Sequence, residues 1–587
     1  MFKIFVMSET WIQYKVEIVP EAFIIEDKTI SNQMAIISFI NANGQISEKL
    51  YRGYLTNDEI YSAIEKGECL NLSHCYVNDF SLSTYRKKHG MSADTLIEIR
   101  QFSAVGSVFD SLKVNDFSFA IFKDESVSFK NTEFLHGKTS FQGAIFEEGS
   151  ANFSHCIFRN GNLDFSQADL VAGGIIFNGS EFGEGIKDFH YTRFGDKDVS
   201  FVAVMFGDGH VSFINTSFGD GDVSFSRAEF GKGDVDFHFT HFHNGNISFE
   251  RTLFGSGNLD FHMIEFDNCK LTFNRSEFGD GDLNFEACVM KEGKMQFKRT
   301  LFGNGNVNFE NMVMPNSDLL FDKSIFGYGN VSFYKSEFNN ISFKSCQINS
   351  YLDLRIARSI YLDLTDTIVR DVVDMTPYDF KINIDSLDIA GMRLLGQINV
   401  DWKENALKQI IFIKNSDNRK LADQFRILKQ NFNKIGRYDD EDLAYIEFKR
   451  CEAKAILEES IKEKKGKAFL HYPLYWFKLW VFDRMGLFAT SPLRVLLSVL
   501  VTFLALAIIQ YILPFFFETG INCISADASE ITRFLDTMYY SGITYLTVGY
   551  GDCSPTGVLK FVANLEAFIG VFMMSYFTVA FARKVLR

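Results

Sequence analysis

The residues best placed to do chemistry form a short loop, 547–552, with the sequence TVGYGD. The loop lies between two apolar segments, 495–517 and 561–582, and each is long enough to cross a bilayer of about 30 Å. Only the second segment contains a charged residue, Glu566. Non-helical backbone at membrane depth is tolerated only where it lines a cavity or is buried in protein. Residues 547–551 fit this exception.

The order of helix, TVGYGD loop and helix closely resembles the pore module of the potassium channel family, over about residues 490–587. In that family four chains converge, and carbonyl oxygens of the loop replace the hydration shell of K⁺. The resemblance assigns ion binding to Thr547, Val548, Gly549, Tyr550 and Gly551. Carbonyls of the first four would coordinate K⁺, and the threonine hydroxyl would add the innermost ring. The two glycines would permit the alternating backbone that turns consecutive carbonyls inward.

Residues around the loop have predicted roles as well. Asp552 would anchor the outer mouth by hydrogen bonding, and Glu566 would support the filter or contact the adjacent subunit rather than line the pore. Gly570 lies in the middle of the second segment, where a gating hinge and ordinary close helix packing are equal alternatives. Cys523 and Cys553 are the cysteines predicted to lie outside the membrane, which makes them candidates for a disulfide.

The charges flanking the apolar segments predict their orientation. Basic residues precede the first segment, at Arg484 and Arg494, and follow the second, at Arg583, Lys584 and Arg587. The positive-inside rule then places both termini in the cytoplasm of a multi-pass protein of the plasma (inner) membrane. No preceding helix carries regularly spaced arginines, so no voltage sensor is expected. The resemblance therefore implies a homotetrameric, non-voltage-gated potassium channel in a lipid bilayer, with permeant K⁺ and no cofactor.

A twelve-residue repeat fills the middle of the chain, which has 64 Phe among 587 residues. Every twelfth residue from Phe117 to Phe333 is Phe, and a second series runs from Phe122 to Phe338 with a few Leu and Met replacements. A fixed period of this length indicates a stacked repeat. Alternating apolar and polar residues predict short strands, and the Gly-x-Gly pieces predict turns with positive φ.

The five-residue step of the repeat resembles the pentapeptide-repeat family, as in the segment Ala168-Asp-Leu170. The resemblance implies a right-handed quadrilateral β-helix, and two twelve-residue repeats would then make one coil of 24 residues. The predicted orientation of the apolar segments places this β-helix in the cytoplasm. A flat coil of 12 residues is the rival. It is disfavoured because two facing Phe side chains in each thin rung would overfill the interior.

The chain is therefore predicted to be multidomain. The predicted parts are a small α/β domain or solenoid cap at 1–100, a β-solenoid at 101–402, a helical hairpin at 403–466, an interfacial amphipathic segment at 467–490 and a two-span pore domain at 491–587. Acidic residues 439–442 begin the second helix of the hairpin, where the helix dipole favours them. The hairpin is either a connector that caps the solenoid or a transmitter of force to the pore.

Composition and motifs restrict the other functions. The net charge of −15 argues against nucleic-acid binding. No HExxH, nucleophile elbow or complete phosphate loop is present, so an enzyme is not expected. The solenoid is expected to assemble or regulate the channel, or to bind an unidentified cytoplasmic ligand or protein. The alternative function is an acidic solenoid scaffold, DNA-mimicking or partner-binding, anchored in the membrane with little conduction.

Overall fold

The computed structural model describes residues 11–123, 126–159, 162–171, 173–414, 417–463, 471–525 and 528–586. The chain forms two compact units, Met1–Ile410 and Ile411–Arg587. The predicted boundary between the hairpin and the interfacial segment, at 466/467, lies outside the described residues.

The first unit starts with antiparallel strands and changes to parallel stacking. Its early strands are Trp11–Val19, Phe23–Ile25, Lys28–Ser31, Gln33–Asn41, Ile46–Tyr54, Cys69–Asn71, Cys75–Asn78 and Ile97–Ser103, and its helices are α1 (Asn57–Glu65) and α2 (Leu82–Lys88). Parallel pairing begins where Gly53 aligns with Cys75. The coils therefore start before residue 101, the boundary that the Phe repeat indicates, because residues 53–110 adopt coil geometry without the repeat.

The solenoid coil contains 24 residues. Val211 pairs in parallel with Val235, and Phe218 pairs with Phe242. About 14 turns of about 24 residues follow one another in this way. The predicted 24-residue coil is thus confirmed, and the 12-residue rival is wrong.

Four walls of short strands surround the core. The first wall contains Val108–Asp110, Glu133–Phe134, Ile157–Phe158, Glu181–Phe182, Glu229–Phe230, Leu253–Phe254, Ile325–Phe326, Gln347–Ile348, Ile368–Val369 and Arg393–Leu394. The second contains Val114–Asp116, Lys138–Ser140, Leu163–Asp164, Lys187–Asp188, Val211–Ser212, Val235–Asp236, Leu259–Asp260, Leu283–Asn284, Val307–Asn308, Val331–Ser332, Leu352–Asp353, Val372–Asp374 and Gln397–Asn399.

The other two walls merge part of the way along the solenoid. The third contains Ala120–Phe122, Ile145–Phe146, Asp169–Leu170, Arg193–Phe194, Ser217–Phe218 and His241–Phe242. The fourth contains Ser126–Ser128, Ser150–Asn152, Ile175–Ile176, Val199–Ser200, Val223–Ser224 and Ile247–Ser248. From then on, single strands serve both walls: Glu265–Thr272, Val289–Gln296, Val313–Leu320, Glu337–Ser342, Arg358–Asp363 and Asn383–Asp388.

Ladders of stacked Phe rings fill the solenoid, and the series that starts at Phe117 forms two of them. Phe213 stacks on Phe237 with ring centroids 4.7 Å apart, and Phe225 stacks on Phe249 at 4.8 Å. The two ladders meet edge to face, as between Phe213 and Phe225 at 5.6 Å and 84°. All four rings are fully buried. Offset stacking and edge-to-face contact are the favourable aromatic geometries, which explains why the repeat holds Phe so strictly.

Small polar residues satisfy the backbone inside the coils. The Thr216 hydroxyl donates to the carbonyl of Phe189 at 2.8 Å, and the Thr240 hydroxyl donates to the carbonyl of Phe213 at 2.8 Å. Both threonines are buried. A buried carbonyl without a partner is costly, so the small position of the repeat combines close packing with a hydrogen bond between coils.

The expectation that the Gly-x-Gly pieces supply positive φ is wrong for most of these glycines. Left-handed φ recurs instead at non-glycine residues twelve apart, such as Arg227 at 60° and Phe239 at 56°. Gly231 and Gly255 lie outside that region. A Cβ on Gly255 would lie 1.9 Å from the carbonyl oxygen of Gly231 in the preceding coil. These glycines are required because successive coils approach closely at the corners.

The second unit is helical, and the first helix starts in the last residues of the first unit. Helix α3 (Leu407–Lys414) precedes a hairpin of α4 (Asn418–Lys434) and α5 (Tyr438–Glu463), and then come α6 (His471–Phe477), a π-helical segment (Lys478–Arg484), α7 (Pro492–Ile512), a 3₁₀ turn (Leu513–Phe515), α8 (Glu530–Tyr545) and α9 (Leu559–Val585). Pro492–Phe515 and Leu559–Val585 are long and apolar enough to cross a membrane. The predicted combination of β-solenoid, helices and two apolar helices is confirmed.

Candidate functional site

Helix α8 positions the TVGYGD loop. Ser529 caps its first turn by accepting a hydrogen bond from the Thr532 N–H at 3.2 Å. At the other end, the N–H of Val548 donates to the carbonyl of Ile543 at 2.9 Å. The loop therefore leaves the helix through a tight, hydrogen-bonded turn. It lies at the C-terminal end of the helix dipole, which favours a cation nearby.

The sign of φ alternates along the loop. Thr547, Gly549 and Gly551 have φ of 55°, 59° and 81°, whereas Val548 and Tyr550 do not have positive φ. Thr547 is β-branched, so its left-handed conformation costs on the order of 1–3 kcal/mol. Such strain persists only where the surrounding structure imposes it.

The side chains of the loop are exposed in one chain. Val548 is 48% exposed and Tyr550 is 72% exposed, and neighbouring Leu546 is 54% exposed. Three large, mainly apolar side chains this close in the chain rarely all stay uncovered. This face of the chain therefore needs a covering surface.

Asp552 is held by the preceding helix. Its Oδ2 accepts a hydrogen bond from the hydroxyl of Tyr539 at 2.9 Å. Tyr539 lies on α8, so the bond connects the end of the loop to the helix that begins it. The loop is thereby fixed at both of its ends.

Glu566 joins three helices behind the loop. It is fully buried on α9 and accepts hydrogen bonds from Ser541 of α8 and Gln510 of α7. Both donors are also buried. The carboxyl group therefore connects the helix that carries the loop to both apolar helices, and it does not belong to the exposed face of the loop.

Gly570 lies against the end of α8. A Cβ at this position would lie 1.9 Å from the carbonyl oxygen of Tyr545. The Tyr545 ring is buried, and its hydroxyl shares a 2.7 Å hydrogen bond with Thr502 of α7. Close packing of α9 on α8 is therefore sufficient to require glycine here, and the geometry adds no separate sign of a hinge.

Cys523 and Cys553 form a disulfide, with Cα atoms 5.0 Å apart. The two segments also pair through their backbones: the N–H of Asn522 donates to the carbonyl of Ser554 at 3.0 Å. The segment after the loop is thus tied to the segment that precedes α8.

The far end of α9 is bound to the helical hairpin. Arg583 pairs with Asp442 at 2.9 Å, and Lys584 pairs with Asp439 at 2.9 Å. The Arg583 guanidinium also lies 4.3 Å from the centre of the Tyr445 ring. Sequence reasoning assigned the acids to the helix dipole alone. The signal for this contact was the basic end of the last helix, which needs anionic partners.

A second link joins the hairpin to the segment before α7. Arg450 of α5 forms a bidentate pair with Asp483, at 2.8 and 3.0 Å. Burial opposes the charge on Arg450, but the hydrogen bonds to Asp483 raise its pKa overall. The hydroxyl of Tyr576 on α9 donates to the carbonyl of Phe482, at 2.9 Å. Helix α5, the π-helical segment and α9 are thus connected.

Comparisons with known proteins place the channel similarity in this region. Residues 497–587 match a family model described as "Ion channel". Two curated relatives match over 49 residues, which is 8% of this chain: Protein LctB of Bacillus caldotenax, 43% identical, and Protein LctB of Geobacillus stearothermophilus, 41% identical. The chain spans 37% of the length of these relatives. No solved structure matches the chain.

The class of protein follows from these findings. The chain combines a β-solenoid over residues 53–399 with an ion-channel domain at 497–587. The match to an ion-channel model and the two apolar helices indicate a membrane protein.

Proposed function

We propose that this protein is a potassium-selective channel built from four copies of the chain. The observation that carries the proposal is the TVGYGD loop itself, with left-handed φ at Thr547, Gly549 and Gly551 inside an ion-channel domain. When residues alternate between positive and negative φ, successive carbonyl groups point toward the same side of an extended segment. Four such segments around an axis provide stacked rings of oxygens that replace the water around K⁺.

Exposure of the loop supports a multi-chain pore. One chain offers only one carbonyl at each level, so it cannot surround an ion. The exposed side chains of Val548 and Tyr550 supply apolar surface for neighbouring copies to cover. A homotetramer satisfies both requirements, because a closed ring repeats the same contact at each subunit.

The surrounding contacts hold the loop in place. The Tyr539–Asp552 hydrogen bond fixes its outer end, and the Glu566 cluster fixes α8 from behind. Selectivity needs coordinating oxygens at constant spacing, so we assign these groups to positioning rather than to ion contact. No residue of this cluster is proposed to bind K⁺ by its side chain.

The hairpin is proposed to transmit movement to the gate. It contacts the end of α9 through Asp442–Arg583 and the segment before α7 through Arg450–Asp483. A stimulus that moves α5 would therefore move both apolar helices. On this proposal the basic ends of these helices face the cytoplasm of the plasma (inner) membrane, and the solenoid is cytoplasmic and assembles or regulates the channel.

The test is ion flux through the purified protein in liposomes. We expect K⁺ to pass far faster than Na⁺, and crosslinking of the reconstituted protein to end at four chains. Gly549→Ala is expected to abolish K⁺-selective flux because Gly549 holds φ of 59°.

Gly542→Ala is the matched control. Its Cβ would meet only atoms of Phe503 at 3.9 and 4.0 Å, so this substitution should leave flux unchanged. Equal passage of Na⁺ and K⁺ by the wild-type protein, or a protein that remains monomeric, would contradict the proposal.

A further inference from the structure

At one corner of the solenoid, one of the two glycine positions changes to larger residues along the stack. Half a coil away, the equivalent corner keeps glycine in every turn from Gly183 to Gly327. At the corner in question, Gly195 and Gly219 are followed at the same 24-residue spacing by His243, Asp267 and Lys291.

The change of residue changes the local structure. His243 still lies in a turn between two short strands, His241–Phe242 and Ile247–Ser248. From Asp267 onward the corner is replaced by continuous strands, Glu265–Thr272 and Val289–Gln296. Because Phe266 of the first strand points inward and is buried, Asp267 lies on the outer wall.

Two imidazoles and one carboxylate converge on this wall. The Nε2 of His241 and the Nδ1 of His243 each lie 3.2 Å from Oδ2 of Asp267. The two rings have centroids 4.1 Å apart. All three candidate ligand atoms lie within 4.8 Å of one another. Ligands about 2.0–2.1 Å from a tetrahedral Zn²⁺ are about 3.3 Å apart, so the spacing of the side chains fits a metal ion after small rotations.

A lysine from a third coil orients the carboxylate. The Nζ of Lys291 lies 2.6 Å from Oδ1 of Asp267, the oxygen that the imidazoles do not approach. Lys291 therefore orients the carboxylate and leaves Oδ2 directed at the imidazoles, as hydrogen-bond partners of metal ligands do.

We propose that His241, His243 and Asp267 bind one divalent transition-metal ion of the Zn²⁺ type. Two imidazoles and a carboxylate are ligands that suit zinc and neighbouring transition metals and not Ca²⁺ or Mg²⁺. The three ligands come from two successive coils, so the ion clamps the coils together where the glycine corner is lost. A fourth coordination position faces solvent and takes water. The site is independent of ion conduction and would exist without it.

A second cluster provides the matched control. Asp236, His238 and Asp260 also lie close together on the solenoid. Here His238 Nδ1 and the His238 backbone N–H both bond the same oxygen of Asp236, at 2.7 and 2.9 Å. Asp260 likewise accepts from the backbone N–H of His262 at 2.9 Å. These carboxylates already serve the turn, and the cluster has a single imidazole.

The test is metal titration of the purified full-length protein in detergent, after chelator treatment. Co²⁺ is followed by its visible absorption, and Zn²⁺ is followed by calorimetry and by displacement of Co²⁺. We expect one ion for each chain. His241→Ala/His243→Ala and Asp267→Asn should each weaken binding by about 100-fold or more, since loss of a mere hydrogen-bond partner of a ligand already costs about 10–100-fold.

Two variants separate this site from other metal-binding groups. His238→Ala tests the second cluster, and Cys69→Ser tests an exposed free thiol. Both should bind Co²⁺ like the wild type. The proposal is overturned if the wild type binds no ion, if the double histidine variant keeps wild-type affinity with an unchanged circular dichroism spectrum, or if either control abolishes binding.

Discussion

The two units of this protein bury their apolar surfaces in different ways. In the solenoid, each coil covers the one before it, and Phe237 has no exposed surface. In the channel unit, Tyr550 of the loop is 72% exposed in one chain. Many apolar side chains of α7 and α9 are exposed as well. Stacking by translation completes a core within a single chain, whereas a pore needs surfaces from other chains and from lipid. The solenoid should therefore fold as a property of the monomer, and the loop should reach its working form only in the assembly.

The largest effect expected within the solenoid comes from opening its Phe ladder. Phe237→Ala removes a ring stacked at 4.7 and 4.9 Å on its two neighbours and should destabilise the solenoid by about 3–5 kcal/mol. The measurement is thermal unfolding of the β-sheet circular dichroism signal in detergent. Phe239→Ala, two residues away and 49% exposed, is the control and should change stability little. If Phe237→Ala and Phe239→Ala destabilised the solenoid equally, the conclusion that its core is completed within one chain would be wrong.

A buried lysine gives the solenoid a pH dependence. Lys187 replaces an aliphatic residue of the second wall, is buried, and donates to the carbonyl of Gly183 at 2.5 Å. Burial lowers its pKa from 10.5 to about 8. The unfolded chain keeps the higher pKa, so the penalty is fully present below pH 8 and disappears as the pH rises toward 10.5.

Lys187→Met should therefore stabilise the solenoid at pH 7, by on the order of 3 kcal/mol. The advantage over wild type should shrink between pH 8 and 10.5, which thermal unfolding across that range would measure. Lys197→Met, at an exposed position, is the control and should show no such trend. A constant advantage at all pH values would mean that charge burial is not the cause.

In the channel unit, we expect a smaller loss from the cluster behind the loop. Glu566→Ala leaves the buried Ser541 hydroxyl and Gln510 amide without their acceptor, which costs about 1–3 kcal/mol. The tetramer should dissociate at lower temperature, and its selectivity for K⁺ over Na⁺ should fall. Ser575→Ala on the same helix removes only an exposed hydrogen bond and is the control. Unchanged selectivity in Glu566→Ala would exclude a positioning role.

The smallest effect concerns the link between the hairpin and α9. Asp442→Asn weakens the pairs with Arg583 and Lys584 but keeps a polar side chain at this buried position, so the change in stability should be about 1 kcal/mol. Flux should nevertheless change by several-fold, because a small free-energy difference shifts the populations of open and closed channels when the two states have similar free energies. Asp440→Asn, whose partner Arg437 lies just before the same helix, is the control. Equal flux in wild type and Asp442→Asn would show that the link does not reach the gate.

Much of the fold was predictable because it is periodic. The series from Phe117 fixes the repeat, and the volume of two facing rings favours a coil of 24 residues, which the pairing of Val211 with Val235 confirms. Helices of the channel unit followed from apolar length and from the spacing of Leu421, Phe425 and their neighbours on the buried face of α4. The coils over residues 53–110 were not predictable, because their sequence lacks the Phe repeat.

Within the candidate site, residue types pointed to the loop but not to its supports. TVGYGD is a local signature, so its position needed no tertiary information. The partners of Glu566, the contact of Gly570 with Tyr545 and the pairing of Arg583 with Asp442 join residues far apart in the chain. No spacing rule connects such residues, because their distance depends on how the helices pack.

The amino-acid sequence alone determined the repeat, its Phe core, the two apolar helices and the loop between them, because each depends on neighbours at a fixed spacing. Tertiary structure alone decided why Gly255 must be glycine, since the reason is a carbonyl in the preceding coil rather than its own φ. It also decided that His241, His243 and Asp267 meet, since stacking brings residues 24 positions apart side by side.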